Sequence, residues 1–225
     1  MIYITGDTHG EVGRFYEFNR NNGEGQWTEN DTLIVCGDFG FLFLDDKSEN
    51  MFLDELSHKP YTVCFVDGNH ENFNAIYACP VEEWHGGKVH RIRKNIFHLM
   101  RGQVFEIEGK TFFTMGGAYS IDKEARISGY SWWRDELPCN EEYDEAVKNL
   151  KKHSMKADYI LTHTIPTEMI RRLNICPDTH DAELTGFLEW VMYEVEYKHW
   201  YAGHWHRDCN IDGKLTLLWF DVVCL

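Results

Sequence analysis

The side chains with chemistry to offer stand at regular places in this chain. Asp7 and His9 follow the apolar run Ile2-Tyr3-Ile4-Thr5, Asp38 follows Leu33 to Cys36, and Asn69 with His70 follows Tyr61 to Val66. His163 ends Tyr159 to Thr162, and His204 and His206 precede a closing hairpin. Gathering several carboxylates and imidazoles in one buried place is costly unless cations compensate. Asp7, His9, Asp38, Asn69, His163, His204 and His206 together offer more donors than a single tetrahedral ion can use. Two ions fit better, with Asp38 as the bridge through its two oxygens. Divalent ions about 3.5–4 Å apart can hold a hydroxide between them, neutralise phosphoryl oxygens and stabilise the entering and leaving oxygens of an in-line displacement. The chemistry implied is hydrolysis of phosphoric esters. Manganese, iron, zinc and nickel all suit mixed nitrogen and oxygen donors, so the metals stay open.

Such residues meet only if the fold brings them together. Short β-rich runs alternating with helical patterns predict strand-helix-strand units around a largely parallel sheet, whose strand ends lie along one edge. Gly6, Gly37, Gly68 and Gly203 precede the proposed ligands; lacking Cβ, they permit tight reversals and close approach, and they also simply end strands. Val104 to Glu108 with Thr111 to Thr114, and Asp208 to Ile211 with Leu215 to Phe220, flank Asx/Glu-Gly-Lys turns and read as antiparallel hairpins. The expected fold class is α/β, with two packed mixed β-sheets flanked by helices. Tyr143, Ala146, Val147 and Leu150 form a helical stripe after an Asn140 cap with Glu141 and Glu142 in the first turn; Leu184, Phe187, Leu188, Val191, Met192 and Val195 form another. Their periodicity marks core faces rather than an aromatic cofactor box. No repeat or Pro/Gly-rich linker divides the chain, so residues 1–225 read as one domain.

In order, Asp7-Thr8-His9, Gly37-Asp38, Gly68-Asn69-His70-Glu71, His163 and Gly203-His204-Trp205-His206 resemble the motif series of the calcineurin-like metallophosphoesterase superfamily. The resemblance implies a four-layer α/β/β/α sandwich. It assigns a first ion to Asp7, His9, Asp38 and His206, and a second to Asp38, Asn69, His163 and His204. His70 would bind no metal but assist the leaving oxygen as general acid or phosphoryl donor. Asp178-Thr179-His180 repeats Asp-x-His but precedes a helix, so Asp178 and Thr179 read as helix-start residues. Glu71 is expected to open a helix and could orient a ligand, and Trp205 to pack between its neighbours. His58, His85, His90, His98, His153 and His199 read as surface or hydrogen-bonded core residues.

Substrate identity is sought between Gly116 and Asp135. Arg126, Trp132, Trp133 and Arg134 could clamp phosphate and stack on planar rings, forming a lid or substrate wall. Equally, the indoles could plug an apolar seam while the arginines pair with acids. Gly6-Asp7-Thr8-His9-Gly10 also agrees with Ser/Thr protein phosphatases, but those place anion-binding arginines where Asp67 and the run Phe39 to Asp45 stand here. Small phosphate mono- or diesters are therefore the expected substrates.

Composition narrows the partners. A net charge of −15 and no basic stripe argue against grip on nucleic acid, although bound divalent ions would offset charge locally. A nuclease remains the alternative enzyme, and a phosphoesterase-fold scaffold the non-enzyme alternative, disfavoured because His70 and every proposed ligand are present. With 43% hydrophobic residues the chain is neither disordered nor collagen-like. Its seven scattered cysteines, without a Cys-x-x-Cys pair, suggest reduced thiols. Met1 leads directly into a strand-like run and no apolar run spans a bilayer, so a cytoplasmic protein without membrane contact is expected. Oligomeric state is not written in these features.

Overall fold

Ile2–Thr5 and Thr32–Cys36 are buried at every position, the pattern of strands covered on both faces. In the computed structural model, which describes residues 1–21 and 27–225, these strands, β1 and β2, run parallel with Ile4 beside Ile34. β3 (Thr62–Val66) joins β2 in parallel, and β6 (Ile96–Leu99) joins β3. An antiparallel excursion, β4 (Val81–Trp84) and β5 (Gly87–Arg93), extends that edge, while β13 (Val222–Cys224) lies antiparallel to β1 at the other.

The second sheet begins with the expected hairpin of β7 (Val104–Ile107) and β8 (Lys110–Met115). β8, β9 (Tyr159–Thr162) and β10 (His199–Ala202) then run parallel. The closing hairpin, β11 (Cys209–Ile211) and β12 (Leu215–Leu217), docks its second strand parallel to β10. The fold is therefore two mixed sheets of seven and six strands.

Apolar contacts define the layers. Ile4, Ile34, Cys64, Phe105, Phe112 and Leu161 fill the seam between the sheets. Outside the first sheet, α1 (Val12–Asn21), α2 (Lys47–Ser57) and α3 (Phe73–Tyr77) bury Phe15, Leu53 and Ile76 against Leu33 and Phe65. Outside the second, α4 (Asn140–Lys152), α5 (Thr167–Arg172) and α6 (Ala182–Glu194) bury Leu150, Ile170 and Leu188 against Phe113 and Trp200. The result is the expected α/β/β/α sandwich.

Three helix starts differ from expectation. α3 begins at Phe73 with Asn72 as its cap, the Asn72 side chain accepting the Ala75 amide at 3.1 Å, so Glu71 lies ahead of the helix instead of opening it. The cap of α4 is Cys139, whose backbone N–H donates to the Glu142 carboxylate at 2.8 Å, so Asn140 is the first helical residue. A glutamate three residues into a helix can reach back to the capping amide, which moves the boundary by one residue. α6 begins at Ala182, so Asp178 and Thr179 close a turn ahead of it; the Asp178 carboxylate accepts the His180 amide at 2.8 Å. Among the described residues, no helix is long and apolar enough to cross a membrane. All seven cysteines are free thiols.

Candidate metal centre

The loops leaving β1 and β2 are tied to each other. The Thr8 and His9 amides donate to the Asp38 carbonyl at 3.1 and 2.8 Å, and the Gly10 amide donates to the Phe39 carbonyl at 3.1 Å. Behind them Arg14 donates to the Asp7 and Trp219 carbonyls and to the Thr5 hydroxyl. This bracing holds an unusual backbone: His9, Asp38, His204 and His206 have φ of 45°, 48°, 66° and 46°, in the left-handed region that non-glycine residues seldom adopt. Such strain persists where surrounding structure over-determines it, and it concentrates at functional sites. Two glycines make the crowding possible. A Cβ on Gly68 would strike Asp38 Oδ1, and one on Gly203 would strike Asp7 Oδ1.

Side chains from both sheets converge in this space. The two oxygens of buried Asp38 face different imidazoles, Oδ2 lying 3.7 Å from His9 Nε2 and Oδ1 3.4 Å from His163 Nε2. Asp7 Oδ2 is 3.4 Å from His206 Nε2, and His9 and His206 bring their Nε2 atoms within 3.0 Å of each other. His163 Nε2 lies 3.1 Å from Asn69 Oδ1, and its Nδ1 is held 2.9 Å from the Cys36 carbonyl. The His204 ring stands edge-on to that of His163 with centroids 4.9 Å apart, while its amide donates to Asp7 Oδ1 at 3.0 Å. Thus all seven sequence-predicted donors come together, and Asp7, His9 and His206, like Asp7, Asp38 and His163, offer donor atoms close enough for one ion.

Electrostatics test whether cations fit. Asp7 Oδ2 is buried without a hydrogen-bond partner, and such a carboxylate oxygen carries a desolvation penalty that a cation would remove. Burial, reinforced by the neighbouring Asp38 charge, pushes the Asp7 carboxyl up. For Asp38 burial acts the same way, but His163, His70 and His9 outweigh it and hold the carboxyl low. Burial also lowers His9 to about 4 and His204 to about 3, leaving neutral imidazoles of the kind a metal requires. The donor set therefore fits divalent ions.

Beside the donors, the His70 amide donates to Asp38 Oδ1 at 2.8 Å, and Arg126 lies 3.0 Å from His70 Nε2 while pairing with Asp122 at 2.9 Å. Glu71 is fully buried below the site. One of its oxygens accepts the Phe39 amide at 2.7 Å, and burial raises its carboxyl well above the ordinary range. Trp205 sets its ring edge-on to His204, centroids 5.4 Å apart.

Other placements were not legible. Asp67 faces away from the site, where buried Arg101 donates to it at 2.6 and 2.9 Å and His98 approaches at 3.0 Å; His90 stacks behind His98. It is therefore no acidic substitute for an anion clamp. Asn69 donates to the Ser120 hydroxyl at 3.1 Å, which in turn donates to buried Glu136 at 2.6 Å, a support that no spacing in the sequence signalled.

Of the four residues expected to meet substrate, Arg126 lines a cavity of about 650 Å³ together with Asp38, Asn69, His70, His204 and His206. Trp132 is not among its lining residues; its ring lies 5.9 Å from the Lys123 ammonium. Trp133 is buried against Phe43, so it plugs an apolar seam. Arg134 is exposed in a single helical turn and lines neither cavity that borders the site.

Comparison with known proteins adds the following. The family model of calcineurin-like phosphoesterases matches residues 1–208, a span that ends just beyond His206. Lariat debranching enzymes of Drosophila pseudoobscura pseudoobscura and Drosophila melanogaster are each 24% identical over 233 and 241 aligned residues. Each alignment takes in 91% of this chain but 42% of the relative, so the chain spans less than half the length of these curated relatives. Among solved structures, phosphopantetheinyl hydrolase from Mycobacterium tuberculosis is 16% identical with a TM-score of 0.44, over 97% of this chain and 89% of that one.

Proposed function

The chain belongs to the calcineurin-like phosphoesterase family, and from that premise we propose that it is a dinuclear metal-dependent hydrolase of phosphate mono- or diesters. One observation carries the reading: buried Asp38 directs its two oxygens at imidazoles from different sheets, beside an Asp7 oxygen with no hydrogen-bond partner. Asp7, His9, Asp38 and His206 would hold one ion, and Asp38, Asn69, His163 and His204 the other. Bound there, the ions would supply Lewis acidity toward phosphoryl oxygens and toward the attacking water.

The chain's own groups do the rest. The Asp38 carboxylate fixes the His70 backbone, which aims the imidazole into the cleft. Burial lowers the His70 pKa, and Arg126 occupies its Nε2, so the free ring is neutral and presents a lone pair to a donor. An arriving phosphate attracts the Arg126 guanidinium, which frees the Nε2 lone pair to take up a proton from solvent and pass it to the leaving oxygen. The likeness to lariat debranching enzymes favours a second reading, a nuclease acting on a lariat, against which the net charge of −15 weighs.

The test is to strip the protein with a chelator, restore manganese, nickel or zinc singly, and follow aryl phosphate monoesters and diesters. Activity should return with metal, and His70→Ala should lower kcat by about 10²–10⁴-fold with metal stoichiometry unchanged. Turnover indifferent to chelation, or none with any ion, would contradict the proposal. A steep loss of rate with added salt on nucleic acid, absent on small esters, would favour the nuclease.

A further inference from the structure

His70 stands between two cavities of different chemistry. One is the cleft of about 650 Å³ already described, whose wall mixes Arg126, Arg207 and Asp122 with Ile121, Ile170 and Ile175. The other, of about 540 Å³, opens on the far side of His9 and His70 and is walled by Val12, Phe41, Phe43, Leu44 and Phe52. Both lie in the size range of small-molecule sites.

The second cavity is apolar by construction. Among the described residues no lysine or arginine lines it, and the one acid among them, Glu49, accepts the Leu44 and Asp45 amides at 2.9 and 2.7 Å. Ser48 turns its hydroxyl to Asp46 at 2.9 Å. The aromatic wall is packed in advance: Phe41 stacks on Phe52 at 4.3 Å, and Phe43 is wedged between Trp133 and His70 at 6.0 and 6.2 Å. Leu44, 56% exposed, offers an apolar lip at the mouth. Phe41, Phe43 and Leu44 of this wall belong to the run Phe39 to Leu44, which follows Asp38 directly, so the loop that places a proposed ligand also builds much of the cavity.

We infer that this cavity is a subsite for an uncharged aromatic or alkyl arm of a phosphodiester whose second arm lies in the Arg126 cleft. The inference rests on the hydrolase reading above and names its substrate class. A phosphorus atom held at the donor cluster sends its two ester substituents in different directions, and a cavity waits on each side of His70. A monoester fills only one. A charged arm finds no counter-ion among Phe41, Phe43 and Leu44, whereas a benzyl-sized group buries its surface there.

The experiment is calorimetric titration of the manganese-loaded protein with benzyl methyl phosphate and with dimethyl phosphate, two slowly reacting diesters that share one headgroup. Wild type should bind the benzyl ester at least about tenfold tighter. Leu44→Asp, at an exposed position that leaves the fold intact, should reduce that ratio to about threefold or less with dimethyl phosphate affinity unchanged. Ile175→Asp, in the opposite cleft, should leave the ratio intact. Equal binding of the two esters by wild type, or a preference that survives Leu44→Asp and disappears in Ile175→Asp, would overturn the subsite. Hydrolysis of bis(p-nitrophenyl) phosphate is read separately: none at all, with the benzyl preference kept, would remove the hydrolase reading and leave the subsite standing.

Discussion

Replacing Arg101 with methionine probes the ground beneath the site. Asp67 and Arg101 are 1% and 5% exposed, and the guanidinium holds the carboxylate at 2.6 and 2.9 Å while also reaching Glu142 at 3.0 Å. Methionine keeps an unbranched side chain in the buried space but removes the guanidinium, whose carbon lies 5.4 Å from the Phe73 ring centre, and leaves Asp67 buried with His98 alone. Breaking a buried pair from one side costs about 3–5 kcal/mol. At about 2–4 °C per kcal/mol for a chain of this size, Tm should fall by about 6–20 °C. The pH dependence gives a second handle. In the wild type burial opposes ionisation of Asp67, but Arg101 and His98 outweigh it and hold the carboxyl well below its usual range. That stabilisation is complete above the ordinary carboxylate pKa and is lost only as pH falls through the lowered value. In Arg101→Met the carboxyl rises instead, so the penalty is largest at neutral pH and fades as acid protonates it. Scanning calorimetry of both proteins should therefore show a Tm gap that is widest near pH 7 and narrows toward about pH 4. A gap that is independent of pH would refute the assigned pairing.

Three further outcomes follow from the same geometry. Asp7→Asn removes a buried charge, so the metal-free variant should melt no lower than metal-free wild type, while the rise in Tm on adding manganese disappears; an undiminished rise, read by scanning fluorimetry, would speak against Asp7 as a donor. Gly68→Ala drives a Cβ into Asp38 Oδ1, which should cost about 1–3 kcal/mol in denaturant unfolding and about 10²-fold in kcat/KM. Arg126→Ala should raise KM for a phosphodiester by about tenfold or more, since a charged hydrogen bond is lost, whereas exposed Arg134→Ala should leave steady-state kinetics unchanged.

The donor residues could be read from the sequence because a parallel sheet imposes a rule: chain leaving β1, β2, β3, β9 or β10 emerges at the same rim, whatever its distance in sequence. Asp7, Asp38, Asn69, His163 and His204 each sit at such an exit. The flat apolar runs gave away the central strands, and the Gly-centred turns gave away both hairpins. β4 and β5 were harder to see because Glu82, Glu83 and Lys88 break any apolar run at an exposed edge. Arg101 carried no signal, since its pairing with Asp67 depends on how the turn after β6 folds over α4, not on spacing. The stretch from Gly116 to Arg134 has little regular structure, so side-chain direction there is set by packing alone. That is why Arg126 and Trp133, both plausible for substrate by residue type, end in such different surroundings.

Anomalous diffraction from crystals of the manganese-loaded protein tests the two-ion site most directly. The expected map has two peaks, one within bonding distance of Asp7, His9, Asp38 and His206, the other of Asp38, Asn69, His163 and His204. A single peak, or peaks that leave Asp38 uncoordinated, would contradict it.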